Sequence, residues 1–502
     1  MNKEPPDRIL FGSCHSLPLL STTDGSSSTY PEESPTRTLW DTISSRNASA
    51  FVWGGDAIYG DDSFHEATPS RLQEHYAHLL RYPGYAQQLR NELVILGVLD
   101  DHDYGVNNGD RTYKYRKESG QAFMDFLRKS TTAVDWAIME KRVAENKGAY
   151  GVKAIDFDQE RGYKVLSDEE AAIEPSISNS EKRQLSAKSV AIFLLDCRTN
   201  KTPWPHNSPK RYLADFEGDF LGDEQWAWLE AALSRSTAKV NIVVQGLQVH
   251  ADRFFGGDTV ESWSSFPMAQ HRLYQAILKS NVSSPFLVSG DVHMAQLLRR
   301  DCRKQDQSDQ LASIIEVTTS GLTHAWCAKK FWARASSLTP LFRWSWLRHA
   351  LCSGMHTAQL FMNDVVIDDK SNEGAKRGRQ YSLDINFAEF EFDWDSEEVT
   401  IRILGETVAS APALSTRWKF QESLPSSRRS SDFDQRYQRL KQHGAKPDDW
   451  VCVSYNGEPS GLHKIIGAIV PISLVLTLML FPLVVPAVVA YYILCPRRPR
   501  TN

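Results

Sequence analysis

Short apolar runs alternate with polar turns along this chain, and two periods of hydrophobicity recur, close to two and close to 3.6. That pattern predicts a mixed α/β protein. Residues 9–11, 51–53, 93–99, 189–195, 240–245, 285–289 and 314–318 read as buried strands. Residues 150–166 alternate and supply further strands, and 387–392 with 399–404 read as a hairpin turned at Asp395-Ser396. Helical spacing appears over 39–45, 69–81, a short stretch to Asn91, 117–127 and 223–233. In the second of these Pro69 suits a helix start, and Leu72, Tyr76, Leu79 and Leu80 share one face. Residues 167–188, acidic and serine-rich, read as a surface loop insertion.

Three stretches break the pattern. Residues 331–350 interleave aromatics and arginines without acids. They read as a helical lid on the core or as an insertion dipping into a membrane interface. Residues 426–446 are polar and basic, and suggest a stalk or linker. Residues 465–494 form an uncharged, mostly apolar run. It is long enough to cross a bilayer core of about 30 Å. The expected organisation is a catalytic domain over 1–420 with an insertion at 331–366, a linker at 421–462, a transmembrane helix at 463–495 and a basic tail at 496–502.

Composition adds exclusions. The chain has 502 residues, 41% hydrophobic and 24% charged, with a formal charge of −5. No global basic field points to nucleic acid, so no stable nucleic-acid complex is expected. Seven cysteines occur without a C-x-x-C pair, which speaks against a zinc ribbon. Their odd number speaks against a full disulfide framework and leaves room for one or two bridges. Arg497, Arg498 and Arg500 follow the apolar run, and the positive-inside rule places that end in the cytosol. N-x-S sequons at Asn47 and Asn281 permit a lumenal or external catalytic domain. The first residues lack a signal-peptide apolar core, which tips the reading towards a tail-anchored protein whose enzyme faces the cytosol.

Candidate chemistry sits where the strands stop. Cys14 follows the first strand, and Asp56 with Tyr59 follows the second. Asp100, Asp101, His102 and Asp103 follow the third. Asp196 with Arg198 follows a later one, and Asp291 with His293 another. Each alone has an ordinary explanation: a turn acid, a small buried thiol, a core histidine, a local Asp196–Arg198 pair, or solvated turn acids at Asp61 and Asp62. Together they recur at strand carboxyl ends, where open α/β sheets bind ligands. Carboxylates, an imidazole, a phenolate and a thiolate form a mixed hard and soft donor set. A thiolate with a tyrosinate favours a polarising transition metal such as iron, and carboxylates alone suit calcium or magnesium.

The chain resembles the PhoD-like alkaline phosphatases, a branch of the calcineurin-like metallophosphoesterases. The matching motifs are F-G-S-C (11–14), G-G-D-A-I-Y-G-D (54–61), L-D-D-H-D-Y-G-V-N-N (99–108), L-D-C-R (195–198), S-G-D-V-H (289–293) and E-V-T-T-S-G-L-T-H (316–324). The resemblance implies a four-layer αββα sandwich that hydrolyses phosphate mono- or diesters at an iron–calcium site. Iron would be held by Cys14, Asp56, Tyr59 and His293. Asp56 would bridge to calcium, completed by Asp101 and Asp291, with Asp101 favoured over Asp100. His102 would protonate the leaving oxygen. Arg198 would contact the phosphate or orient Asp196. Expected partners are a phosphate ester, including lipid or nucleotide phosphates, and membrane lipid around the C-terminal helix. A metal-binding scaffold without turnover is the competing class. An acyl hydrolase is disfavoured, because no G-x-S-x-G elbow occurs.

Overall fold

The computed structural model describes residues 7–17, 35–61, 66–159, 162–177, 183–204, 214–252, 261–306, 310–328, 345–368, 378–406, 412–420 and 430–494. The chain divides into two compact units. The first comprises residues 1–325 and 363–458, the second 326–362 and 459–502.

The first unit carries two large sheets. Its strands are β1 (Asp7–Gly12), β2 (Ala50–Gly54), β3 (Val94–Val98), β4 (Gly151–Gln159), β5 (Gly162–Leu166), β6 (Ser189–Leu194), β7 (Val240–Val244), β8 (Pro285–Ser289), β9 (Ala295–Lys304) and β10 (Leu311–Thr319). These are followed by β11 (Ile367–Asp368), β12 (Gly378–Arg379), β13 (Tyr381–Ser382), β14 (Phe387–Asp393), β15 (Glu398–Leu404), β16 (Leu414–Lys419) and β17 (Trp450–Ser454). One sheet runs β16-β15-β14-β1-β2-β3, the other β13-β9-β10-β8-β7-β6-β4-β5, with β17 paired to β9. Within them β1, β2 and β3 are mutually parallel, as are β6, β7, β8 and β10. Each sheet therefore presents a row of strand carboxyl ends.

Side-chain alternation decides which surface each strand buries. On β6, Val190, Ile192 and Leu194 join one core with Leu10, Phe51 and Ile95 of the other sheet. The intervening Ala191 and Phe193 join a second core with Trp226 and Leu229 of the helix Gly222–Arg235 and Leu273 of the helix Pro267–Ser280. The first core also takes Leu72, Tyr76 and Leu79 from the helix Pro69–Arg81, and Phe123 and Phe126 from the helix Arg116–Ser130. A fully buried leucine or phenylalanine contributes about 1.5–3 kcal/mol, so the shared core locks the strand ends in register.

Two regions differ from the sequence reading. Residues 167–188 are not simply a surface loop. A short capped helix, Asp168–Ala171, is tied down by a buried Lys153–Asp168 pair at 2.7 Å. Glu174 is buried against Arg142 and the Trp228 indole. The expected linker is also structured. Residues Ser430–Lys441 form a helix whose Phe433, Tyr437 and Leu440 make an i, i+4, i+7 stripe beneath a polar composition. After it β17 adds antiparallel to β9, and a disulfide joins Cys302 to Cys452. That bridge spans 150 residues of sequence. In the chain-entropy account such a loop closure is worth about 5 kcal/mol at most.

In the second unit the helix Ser345–Gln359 packs on the helix Gly461–Leu494. A Cβ on Gly354 would stand 2.3 Å from Val475 Cγ2, so the two helices approach closely there. A disulfide joins Cys327 to Cys352. Among the described residues one helix is long and apolar enough to cross a membrane, over Gly461–Leu480. Its Leu462, Ile465, Ile469, Ile472, Leu476 and Leu480 are exposed. Residues 331–344 of the aromatic and arginine-rich stretch, the 421–429 part of the expected linker and the 496–502 tail lie outside the described residues.

Candidate metal centre

The expected ligands all lie beyond strand carboxyl ends: Cys14 after β1, Asp56 and Tyr59 after β2, Asp101 after β3, and Asp291 and His293 after β8. Four of them bend the backbone into the left-handed region, at φ 60° for Cys14, 52° for Asp56, 67° for Asp291 and 54° for His293. Non-glycine residues rarely hold that conformation unless their surroundings enforce it, and such outliers cluster at functional sites. The loops approach one another closely. A Cβ on Gly290 would fall 2.4 Å from the Gly54 carbonyl oxygen, and one on Gly55 (φ 92°) 2.5 Å from Asp100 Cβ.

Two donor groups share one residue. In the first, the Cys14 Sγ is 3.5 Å from Asp56 Oδ2, and the Tyr59 hydroxyl is 3.4 Å from the same oxygen. That hydroxyl also lies 3.1 Å from His293 Nε2. In the second, carboxylate oxygens of Asp56, Asp100, Asp101 and Asp291 lie within 4.8 Å of one another. Asp56 belongs to both. The expected set is thus brought together, with Asp100 added to it.

Charge makes this cluster costly by itself. Burial and the facing Asp101 and Cys14 push Asp56 well above the usual carboxylate range. Burial, then Asp100 and Asp101, do the same to Asp291. Burial also lifts the Cys14 thiol to about 12, against hydrogen bonds from Ser13 and Ser320, and lowers His293 to about 4. The Asp100 Oδ2 is buried and has no hydrogen-bond partner among the described residues. A buried carboxylate oxygen without a donor, among three other carboxylates, is the condition a cation relieves. The donors present therefore fit metal ions. The thiol, phenol and imidazole suit a transition metal, and the carboxylates suit a hard cation.

Three residues behave otherwise than the sequence suggests. Asp196 closes its own turn: its oxygens accept from the Ala149, Arg198 and Thr199 amides and the Thr199 hydroxyl. Its carboxylate is committed there, to the turn after β6. Arg198 is fully buried; its guanidinium makes no hydrogen bond to the Asp196 carboxylate, and its Nη2 has no hydrogen-bond partner among the described residues. Its Nε donates to Asp100 and its Nη1 to Glu261, each at 2.5 Å, and Lys201 pairs with Glu261 from the other side. Asp61 is no solvated turn acid. Its side chain is 3% exposed, and its Oδ1 lies 2.6 Å from His102 Nδ1. Although burial lowers the His102 pKa, Asp101 and Asp61 outweigh it and raise the group to about 9.

The remaining loop residues hold these in place. Asp103 accepts from the Ala57, Ile58 and Asp100 amides and the Tyr76 hydroxyl, pinning the loop after β2 to the loop after β3. Asp101 accepts from the His102 and Asn108 amides. Burial works against it, but His102, Arg198 and the Asn108 amide hold its carboxyl below the usual range. The Ser320 hydroxyl, just past β10, lies 2.9 Å from Cys14 Sγ and accepts from the His293 amide at 2.7 Å. His324 stacks on Tyr59 and His293 with ring centroids 4.8 and 5.5 Å apart. Asp61 sits two residues beyond Tyr59 in the same loop, which is the signal that could have found it. Nothing local in the sequence marks Glu261 as the partner of Arg198.

Residues 183–338 match the family model described as PhoD-like phosphatase. A search of curated proteins finds no match. Among solved structures the chain is similar to one titled "Structure of PhoD", at 13% identity, with 83% of this chain and 70% of that one covered and a TM-score of 0.46. The matched stretch, residues 183–338, carries the strand ends bearing Arg198, Asp291 and His293, and over it the chain is similar to the PhoD-like phosphatases.

Proposed function

We propose that this site hydrolyses phosphate mono- or diesters with two metal ions, iron beside Cys14, Tyr59 and His293 and calcium beside Asp101 and Asp291, joined by Asp56. The observation that carries the reading is the membership of Asp56 in both donor groups. Asp100 Oδ2, buried and without a donor among the described residues, is an added ligand candidate on the calcium side. When bound, the ions supply neutralisation of the ester's phosphate oxygens and acidify a water.

The chain's own residues do the rest. His102, fixed at Nδ1 by Asp61, presents Nε2, which has no partner among the described residues, to hand a proton to the leaving oxygen. Arg198 does not touch the ester in this reading; it offsets the charge of Asp100 and Glu261 behind the ligands. The partition of apolar side chains between two cores supports a four-layer αββα order for the catalytic unit. The apolar helix supports a single C-terminal anchor, with lipid around it. Phosphate esters of lipids or nucleotides fit the proposed chemistry.

The test is hydrolysis of p-nitrophenyl phosphate and its bis-ester by purified full chain, with metal analysis of the same sample. Turnover with bound iron and calcium is expected, and Asp56→Asn should abolish it and lower the content of both metals. Full activity in Asp56→Asn would sink the bridging assignment. Bound metal without turnover of either ester would favour a scaffold that has lost catalysis.

A further inference from the structure

The cysteines and sequons of this chain carry information that the proposed reaction does not use. Among the described residues four cysteines are paired, Cys302 with Cys452 and Cys327 with Cys352, whereas Cys14 and Cys197 are free and buried. Cys14 is wanted as a thiolate donor beside Asp56, and Cys197 is packed in the second core. Cys302 and Cys452 are buried in the same core as Cys197, on β9 and β17. One bridge closes β17 onto β9, and the other lies within the second unit, between Cys327 and the helix Ser345–Gln359. Disulfides persist in oxidising compartments and are rare where glutathione keeps thiols reduced.

The two N-x-S sequons are placed alike. Asn281 caps the C-terminus of the helix Pro267–Ser280 at φ 55°, and Asn47 follows the helix Pro35–Ser45 at φ 48°. Both side chains are exposed, and each sequon lies in the turn that leads into a strand, β8 or β2. A glycan attached at either position would extend into solvent without displacing core. Of the sites where an N-x-S triplet can fall, a helix-to-strand turn at the surface is among those that tolerate a bulky modification.

We infer that the first unit matures on the oxidising side of a membrane and carries N-linked glycans on Asn281 and Asn47. The attachment forms a bond from the asparagine Nδ2 to the anomeric carbon of an oligosaccharide. It breaks that carbon's bond to the pyrophosphate of a lipid-linked donor; the amide proton is released, and the lipid diphosphate leaves. Each disulfide forms as two thiols give up two protons and two electrons to the disulfide of a thiol oxidoreductase. The same side is the one that three arginines after the apolar helix assign to the catalytic unit. This orientation is opposite to the tail-anchored expectation. It does not depend on the identity of the reaction.

The experiment expresses the full chain in a eukaryotic cell and treats the extract with peptide N-glycosidase before electrophoresis. Two mobility steps are expected. One should disappear in Asn281→Gln, the other in Asn47→Gln, and both in the double variant. Ser283→Ala keeps the asparagine and should also remove one step, while Ser283→Thr should retain it; this separates loss of the glycan from loss of folding. In parallel, denatured, unreduced protein is alkylated. Cys14 and Cys197 should react, and Cys302, Cys327, Cys352 and Cys452 should react only after reduction. A wild-type chain with no glycosidase step and all of these cysteines alkylated without reductant would overturn the inference and place the unit in the cytosol. A step that survives in the double variant would overturn the assignment of the sites.

Discussion

Replacing Arg198 by glutamine is expected to cost stability and leave phosphate binding little changed. The guanidinium is fully buried between Asp100 and Glu261. Glutamine carries no charge and cannot reach both carboxylates. Lys201 remains beside Glu261, so the deficit falls on Asp100, whose Oδ1 would lose its donor and whose Oδ2 has none among the described residues. Removing one partner of a buried ion pair costs about 3–5 kcal/mol, and with Glu261 still paired the lower end is expected. Arg198→Lys keeps the charge, but a single ammonium cannot span both carboxylates. It should cost about 1.5–3 kcal/mol, the worth of one hydrogen bond to a charged group. The assay is urea unfolding of detergent-solubilised protein, with inorganic phosphate affinity measured on the same folded samples. Stability should fall from wild type to Arg198→Lys to Arg198→Gln. Were both variants to unfold like wild type yet lose phosphate affinity, Arg198 would be a substrate contact, and its reading as a buried brace would be wrong.

Two further outcomes follow from the geometry. Asp61→Asn should loosen His102 and weaken proton delivery to the leaving oxygen, a contribution of about 10²–10⁴-fold where general acid catalysis operates. The rate loss should therefore be large for an alkyl phosphate and small for p-nitrophenyl phosphate, whose leaving group needs little protonation; equal losses would remove Asp61 from that role. Asp449 anchors the C-terminal segment, accepting from His271 at 3.1 Å, Lys279 at 2.7 Å and the Lys446 amide at 2.8 Å. Burial opposes these contacts, but they hold its carboxyl below the usual range. With the folded pKa depressed, the stabilisation is present above the unfolded value of about 3.9 and lost as pH falls through the folded one. Wild type should exceed Asp449→Asn in stability at neutral pH, with the gap closing below about pH 4. A gap that stays constant through acid would show that the charge plays no part.

The sequence by itself determined what depends on neighbours along the chain. Apolar runs ending in Cys14, Asp56, Asp101 and Asp291 are local features, and strand carboxyl ends collect in one place in parallel sheets, so the ligand candidates were legible. Tertiary structure decided what depends on residues far apart. Arg198 reads as a partner of Asp196 because they are two residues apart, but it meets Asp100, 98 positions away, and Glu261, 63 positions away. A buried guanidinium takes the carboxylates that packing brings to its two faces, and sequence distance does not limit that choice. Asp61 reads as solvated until the loop after β3 folds His102 over it. The 430–454 region reads as a linker because its composition is polar. Its buried stripe is only a few residues wide, and β17 is stabilised by β9, some 150 residues earlier. Hydrophobic periodicity reports which face of an element is buried; only the folded chain says against what.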